Sequence, residues 1–245
     1  MLIDNQEGGF LFLPGGKTFS MGVVTTGKHE IVHVTLRQSL PYLQGFEIIR
    51  RALSGMGRPI RALCGVELRS PEPVAMEDFE AFNRGYEEIL EDWGLLVDGM
   101  GSMTRTNIAP ELSPPQEPSV YSFSYTISTL AQRIPSFLLS GVGDIGPEGV
   151  IRPGETSEEA LSEKIAFVVK TLRDRCADLG VEWERVTATN IYTPHDIHSL
   201  RAEQLELPRG SSAAYGLCWY LARPPIQGLE FEMDVRGVET EYVGL

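Results

Sequence analysis

Four histidines and three cysteines are the first residues to weigh for chemistry. His195 and His198, in Pro194-His195-Asp196-Ile197-His198, stand three apart, a spacing that sets both on one face of a helix. No neighbouring residue supplies the further ligands a metal centre needs, and Asp196 reads better as a helix-start residue. Cys64, Cys176 and Cys218 lie far apart in apolar settings, without CxxC or Cys/His spacing, so they read as small packed hydrophobes. Ser140-Gly141 has no paired base in view and reads as a close-packing strand position rather than a nucleophile. Tyr192 and Tyr215 read as packing residues. No GxSxG, Walker or GxGxxG segment precedes a helix, so nucleotide-dependent chemistry has no support. The cleanest strand is 229–236. There Leu229, Phe231, Met233 and Val235 alternate with Glu230, Glu232, Asp234 and Arg236, giving one apolar face and one that carries three carboxylates.

The elements that must position these groups occur in a repeated order. In the first half, strand 18–24 is followed by a helix over about 41–53 and a strand 62–68, whose Cys64, Val66 and Leu68 alternate with Gly65, Glu67 and Arg69. A second helix has Met76, Phe79, Phe82, Tyr86, Ile89, Leu90 and Trp93 on its apolar face, and Val120–Tyr125 is the last strand. In the second half, strand 136–142 precedes a helix whose start is a capping box of Thr156 and Glu159. Its stripe is Leu161, Ile165, Val168, Leu172, Cys176 and Leu179, and Gly180 ends it. The β-branched segment 185–192 follows, then a short polar helix over 196–205. The two series run in parallel with an offset of about 120 residues, as a duplicated domain would. The expectation is an α+β protein of two domains, 1–128 and 129–245, each a mixed sheet with helices on one face.

The 245 residues fit one large domain or two small ones, and 42% apolar content is enough for a packed core. A net charge of −13 argues against binding nucleic acid. No run approaches the roughly 20 apolar residues that span a bilayer. The acidic start, Met1 to Glu7, lacks a secretory pattern, so a cytoplasmic location is expected.

These segments resemble the RidA (YjgF) family. The residues that carry the likeness are Phe137–Gly141, Val186–Tyr192 and Leu229–Asp234 in the second half, with Arg61–Leu68, Met76–Asn83 and Met103–Thr106 in the first. The resemblance implies two tandem chorismate-mutase-like domains, assembly as a homotrimer with clefts between subunits, and hydrolysis of small enamine or imine carboxylates with release of ammonia. It needs no metal or organic cofactor. It assigns Arg105 to the substrate carboxylate and Glu230 to the water, with Ser140, Gly141, Tyr192 and Tyr215 around the substrate. A guanidinium suits a carboxylate because its rigid fork donates two charge-assisted hydrogen bonds. Each half keeps one of the two groups: no Glu stands in Val120–Tyr125, and no Arg stands in Ser211–Tyr215. Two alternatives follow. One is a non-catalytic module that binds a small carboxylate. The other is a chorismatase-like hydrolase acting on chorismate, with which Gly216-Leu217-Cys218-Trp219 is compatible.

Overall fold

The computed structural model describes all 245 residues. The first half runs β1 (Ile3–Asn5), β2 (Phe10–Pro14), β3 (Ser20–Thr25), β4 (His29–Pro41), α1 (Tyr42–Gly55), β5 (Leu63–Arg69) and α2 (Met76–Asp92). A ribbon of β6 (Leu96–Val97) and β7 (Met100–Gly101) leads to β8 (Thr104–Pro110) and β9 (Ser119–Ser128). The second half runs β10 (Phe137–Gly143), the ribbon β11 (Ile145–Gly146) and β12 (Gly149–Val150), α3 (Glu158–Leu179) and β13 (Ala188–Tyr192). After α4 (His198–Leu200) come β14 (Cys218–Tyr220), β15 (Ala222–Arg223), β16 (Glu232–Gly237) and β17 (Thr240–Gly244).

Two large sheets result. One has the order β1-β2-β3-β10-β16-β13-β14, the other β15-β8-β5-β9-β4-β17. Helix α3 lays Leu161, Ile165, Val168, Leu172 and Cys176 on the first sheet, against Phe231, Met233 and Val235. Helices α1 and α2 lay Phe46, Ile49, Leu53, Tyr86 and Leu90 on the second, against Val66, Leu68 and Phe123. The opposite faces of the sheets meet each other through Phe10, Phe12, Val23, Ile31, Cys64 and Leu138. The layers are therefore helix, sheet, sheet, helix. Part of the inter-sheet space is polar, with His33, Glu67, Ser122, Ser124, Asp234 and Arg236 around a small internal cavity. No helix is long and apolar enough to cross a membrane.

This architecture corrects the expected fold of two tandem RidA-like domains. Each sheet draws on both halves of the chain. The N-terminal strands β1–β3 extend the sheet of β10, while β15 and β17 leave the second half to pair with β8 and β4. Neither large sheet is confined to one half. The helical layers also differ, with two long helices on one sheet and one 22-residue helix on the other. Where the second half needed another helix, the polar stretch 198–215 gives one α-helical turn that runs on as a π turn over 201–206 and 3₁₀ turns over 207–215, broken at Gly210 (φ 56°). Local corrections follow the same lines. The cap of α3 is Ser157, whose hydroxyl accepts from the Ala160 N–H, one residue beyond the expected Thr156. Cys64 and Cys176 are buried as expected, but Cys218 is exposed.

Candidate active site

Arg105 lies on β8, which pairs in parallel with β5 on one side. Its side chain turns toward α2, where Nη1 donates to Asn83 Oδ1 at 2.8 Å. The guanidinium carbon sits 4.9 Å from the Tyr86 ring centroid, 5.5 Å from that of Phe79 and 5.8 Å from that of Phe19. Arg105 is 8% exposed. Burial lowers its pKa, while the Tyr86 and Glu232 side chains act in the opposite direction. A buried cation needs acceptors, and Asn83 is the one protein group hydrogen-bonded to this guanidinium. Its other face opens on a cavity of about 180 Å³ with Phe79, Ile145, Ile226 and Leu229 as apolar wall.

Across that cavity stands Glu232, at the start of β16. Its carboxylate packs directly on Gly141, where any side chain would collide with it. Burial pushes the Glu232 pKa up to about 8, helped by the nearby Asp234 and Asp144 carboxylates and opposed by Arg105 and Arg69. At neutral pH Glu232 is thus mostly a carboxylic acid, able to donate a proton.

Ser140 and Gly141 explain how the two groups meet. The pairing of β10 with β16 shifts register between Leu139 and Val142, so both residues lie in a β-bulge. Freed from the ladder, the Ser140 hydroxyl accepts from the Arg105 backbone N–H at 2.9 Å and donates to the Ser20 carbonyl. The Gly141 N–H donates to Thr106 Oγ1 at 3.2 Å. These bonds tie β10 to β8 and fix the spacing between the guanidinium and the carboxyl.

The cavity therefore brings together Arg105 and Gly141, with Ser140 as the strut behind them. Glu230 stands elsewhere. Its carboxylate meets His195 Nε2 at 2.6 Å and Arg223 Nη1 at 3.0 Å, and it does not line the cavity. Tyr192 is buried away from the cavity and donates to Asp234 Oδ2 at 2.8 Å. Tyr215 is 64% exposed. Sequence reasoning passed over Glu232, Asn83 and the aromatic residues Phe19 and Phe79. The signal for Glu232 was present, since it alternates in step with Glu230 and Asp234, but alternation alone does not choose among the three. No group of three or more His, Cys, Asp or Glu side chains is arranged to hold a metal ion.

The model of the 2-aminomuconate deaminase family CnbZ matches residues 2–242. The chain belongs to this family. A relative from Comamonas testosteroni described as 2-amino-5-chloromuconate deaminase is 36% identical over 245 residues, covering 97% of each chain. Among solved structures, a chorismatase covers 96% of this chain and 78% of its own at 11% identity, with a TM-score of 0.45. A cyanuric acid hydrolase from A. caulinodans covers 89% and 69% at 11% identity, with a TM-score of 0.40. The family match overturns the resemblance to RidA, which rested on short and mostly apolar motifs. The expected deaminase chemistry agrees with the 2-aminomuconate deaminase family; the RidA assignment does not.

Proposed function

We propose that the Arg105–Glu232 cavity hydrolyses the enamine of an aminomuconate-type dicarboxylate, releasing ammonia and leaving the 2-oxo acid. The observation that carries this reading is the pairing, in one apolar-walled cavity, of a guanidinium that has a single protein acceptor with a protonated carboxyl. Arg105 holds the carboxylate beside the amino-bearing carbon through two charge-assisted hydrogen bonds, worth roughly 1.5–3 kcal/mol each. Phe79, Ile226 and Leu229 offer a flat apolar bed for the conjugated chain. Glu232 gives its proton to the enamine carbon, and the electron pair of the C=C–N system moves to form an iminium. The resulting carboxylate takes a proton from water as the oxygen adds to the iminium carbon. Glu232 then gives that proton to nitrogen and takes up the hydroxyl proton as the C=O bond forms and ammonia leaves, which restores its acid form. The sum is one enamine and one water converted to one ketone and one ammonia. A group that works first as acid and then as base needs a pKa close to the working pH, which a value of about 8 supplies.

In this proposal the role first given to Glu230 passes to Glu232. The cavity is built within one chain, so the chemistry does not depend on the expected homotrimer. The test is ammonia release from 2-aminomuconate by the wild-type protein and by Glu232→Gln. Turnover by the first and its loss in the second supports the reading. Tight binding of muconate without any turnover by wild type would favour the non-catalytic module instead.

A further inference from the structure

Behind the cavity lies an ion pair with no exposure on either side. Lys164 of α3 and Asp144, which follows β10, are each 0% exposed, and Nζ stands 2.7 Å from Oδ2. Lys164 also donates to the Ile151 carbonyl, and the Ile151 N–H returns to the Asp144 carbonyl at 2.9 Å. The second oxygen of Asp144 accepts from the backbone N–H groups of Glu230 at 3.0 Å and Phe231 at 3.3 Å. Its own N–H donates to the Phe231 carbonyl at 3.0 Å. Asp144 thus joins two segments that both supply cavity wall, Gly143 and Ile145 on one side, Leu229 and Glu232 on the other. Neither Lys164 nor Asp144 lines the cavity, and the proposed reaction uses neither.

Stability alone is a poor reason for such a pair. Desolvating two charges is costly, and well-packed apolar residues often replace a buried pair without loss. Fixing register is a better-attested use. It fits this location, because residues 229–231 precede the ladder of β16 and need another anchor.

We propose that the Lys164–Asp144 pair is a positioning device for the deamination: it locks segment 229–232 to the turn after β10 and so sets where the Glu232 carboxyl stands. This inference rests on the assignment of Glu232 as the acid. Glu232 is faced by Asp234 on its own strand, Arg105 of β8, Arg69 of β5, Arg175 of α3 and Asp144 itself. The two carboxylates favour its neutral form and the arginines its charged form. Neutralising Asp144 therefore makes Glu232 titrate at lower pH.

Two variants test the proposal. Asp144→Asn keeps an oxygen for the two backbone N–H groups and removes the charge. Lys164→Met/Asp144→Asn removes both charges together, so that neither is left buried and alone. The readouts are thermal unfolding, kcat and KM for ammonia release from 2-aminomuconate across pH, and the Glu232 carboxyl C=O infrared band, isolated by difference against Glu232→Gln. For folded variants we expect kcat to fall about 10- to 100-fold, as when an outer-shell support is lost. KM should stay within about threefold, because Arg105 is untouched. The infrared midpoint and the alkaline limb of the rate should both move down by roughly half to one pH unit. A folded variant with unchanged kcat, limb and midpoint overturns the proposal. If wild type releases no ammonia, the deaminase reading fails by itself, and a crystal structure of the double variant decides the positioning claim: a displaced segment 229–232 and Glu232 carboxyl supports it, and an unmoved one overturns it.

Discussion

Arg69 and Arg105 sit on neighbouring parallel strands, 5% and 8% exposed, each among three aromatic rings. Tyr121 lies 3.9 Å from the Arg69 guanidinium carbon, with Tyr192 and Tyr220 at 5.7 and 5.8 Å. Tyr86, Phe79 and Phe19 surround Arg105 at similar range. The partners differ. Arg69 donates to Glu67 Oε2 at 3.2 Å and to the Leu68 carbonyl at 3.0 Å. Arg105 has Asn83 and a cavity. The pKa directions record this difference. Burial works to lower both, but Tyr192 and Glu67 carry Arg69 above its ordinary value, while Arg105 stays below. Burial and aromatic company alone do not mark a binding arginine. What marks it is a guanidinium whose acceptors within the protein are too few, beside space that a carboxylate can enter.

Truncating each arginine in turn should give the largest and most different effects. Arg105→Ala should lower kcat/KM for 2-aminomuconate by roughly 10²–10⁴, the equivalent of two charge-assisted bonds. Arg105→Lys should restore little, because an ammonium lacks the fork. Arg69→Met should instead destabilise the fold by about 1.5–3 kcal/mol, since Glu67 loses its hydrogen-bonded cation and keeps only Arg236, at 3.6 Å. Adding Glu67→Leu should recover most of that loss, read by urea unfolding. Loss of turnover in folded Arg69→Met, with Arg105→Ala unaffected, would reverse the two assignments.

Glu232→Gln comes next, with kcat down about 100- to 1000-fold and KM little changed. The alkaline limb of the wild-type rate should fall near pH 8, where Glu232 loses its proton, and should vanish in the variant. Stability gives an independent check with a fixed sign. Below about pH 4.5 the group is protonated whether folded or unfolded and contributes no difference. Between there and about pH 8 the unfolded chain ionises first, so the wild-type fold loses stability as pH rises. Glu232→Gln should therefore match wild type in acid and exceed it by a few kcal/mol in alkali. The smallest effect expected is that of Glu230→Gln. It should change kcat less than about threefold, because its carboxylate is engaged by His195 and Arg223 outside the cavity.

The helices were largely legible in the sequence, because α1, α2 and α3 carry apolar stripes at three-to-four spacing and α3 ends on Gly180 with φ 71°. Arg105 came only through the resemblance to RidA carried by Met103–Thr106, and nothing in its own neighbourhood in the sequence sets it apart from other arginines. The exchange of strands between halves was not legible, since nothing within β1–β3 or β17 says which distant strand it will pair with. Strand β4, 13 residues long, escaped notice because His, Arg and Gln interrupt its apolar alternation. What separates Glu232 from Glu230 is non-local: the bulge at Ser140-Gly141, where the glycine admits the Glu232 carboxylate, and the Asp144 hydrogen bonds to the backbone of 230 and 231. Both act on a segment whose own pattern treats the two carboxylates alike.

The most direct test is a crystal structure with muconate, which keeps the dicarboxylate chain and lacks the amino group to be removed. One carboxylate should lie on the Arg105 guanidinium, with the adjoining carbon facing the Glu232 carboxyl. Muconate bound elsewhere, with Arg105 making no contact to it, would rule out Arg105 as the carboxylate anchor.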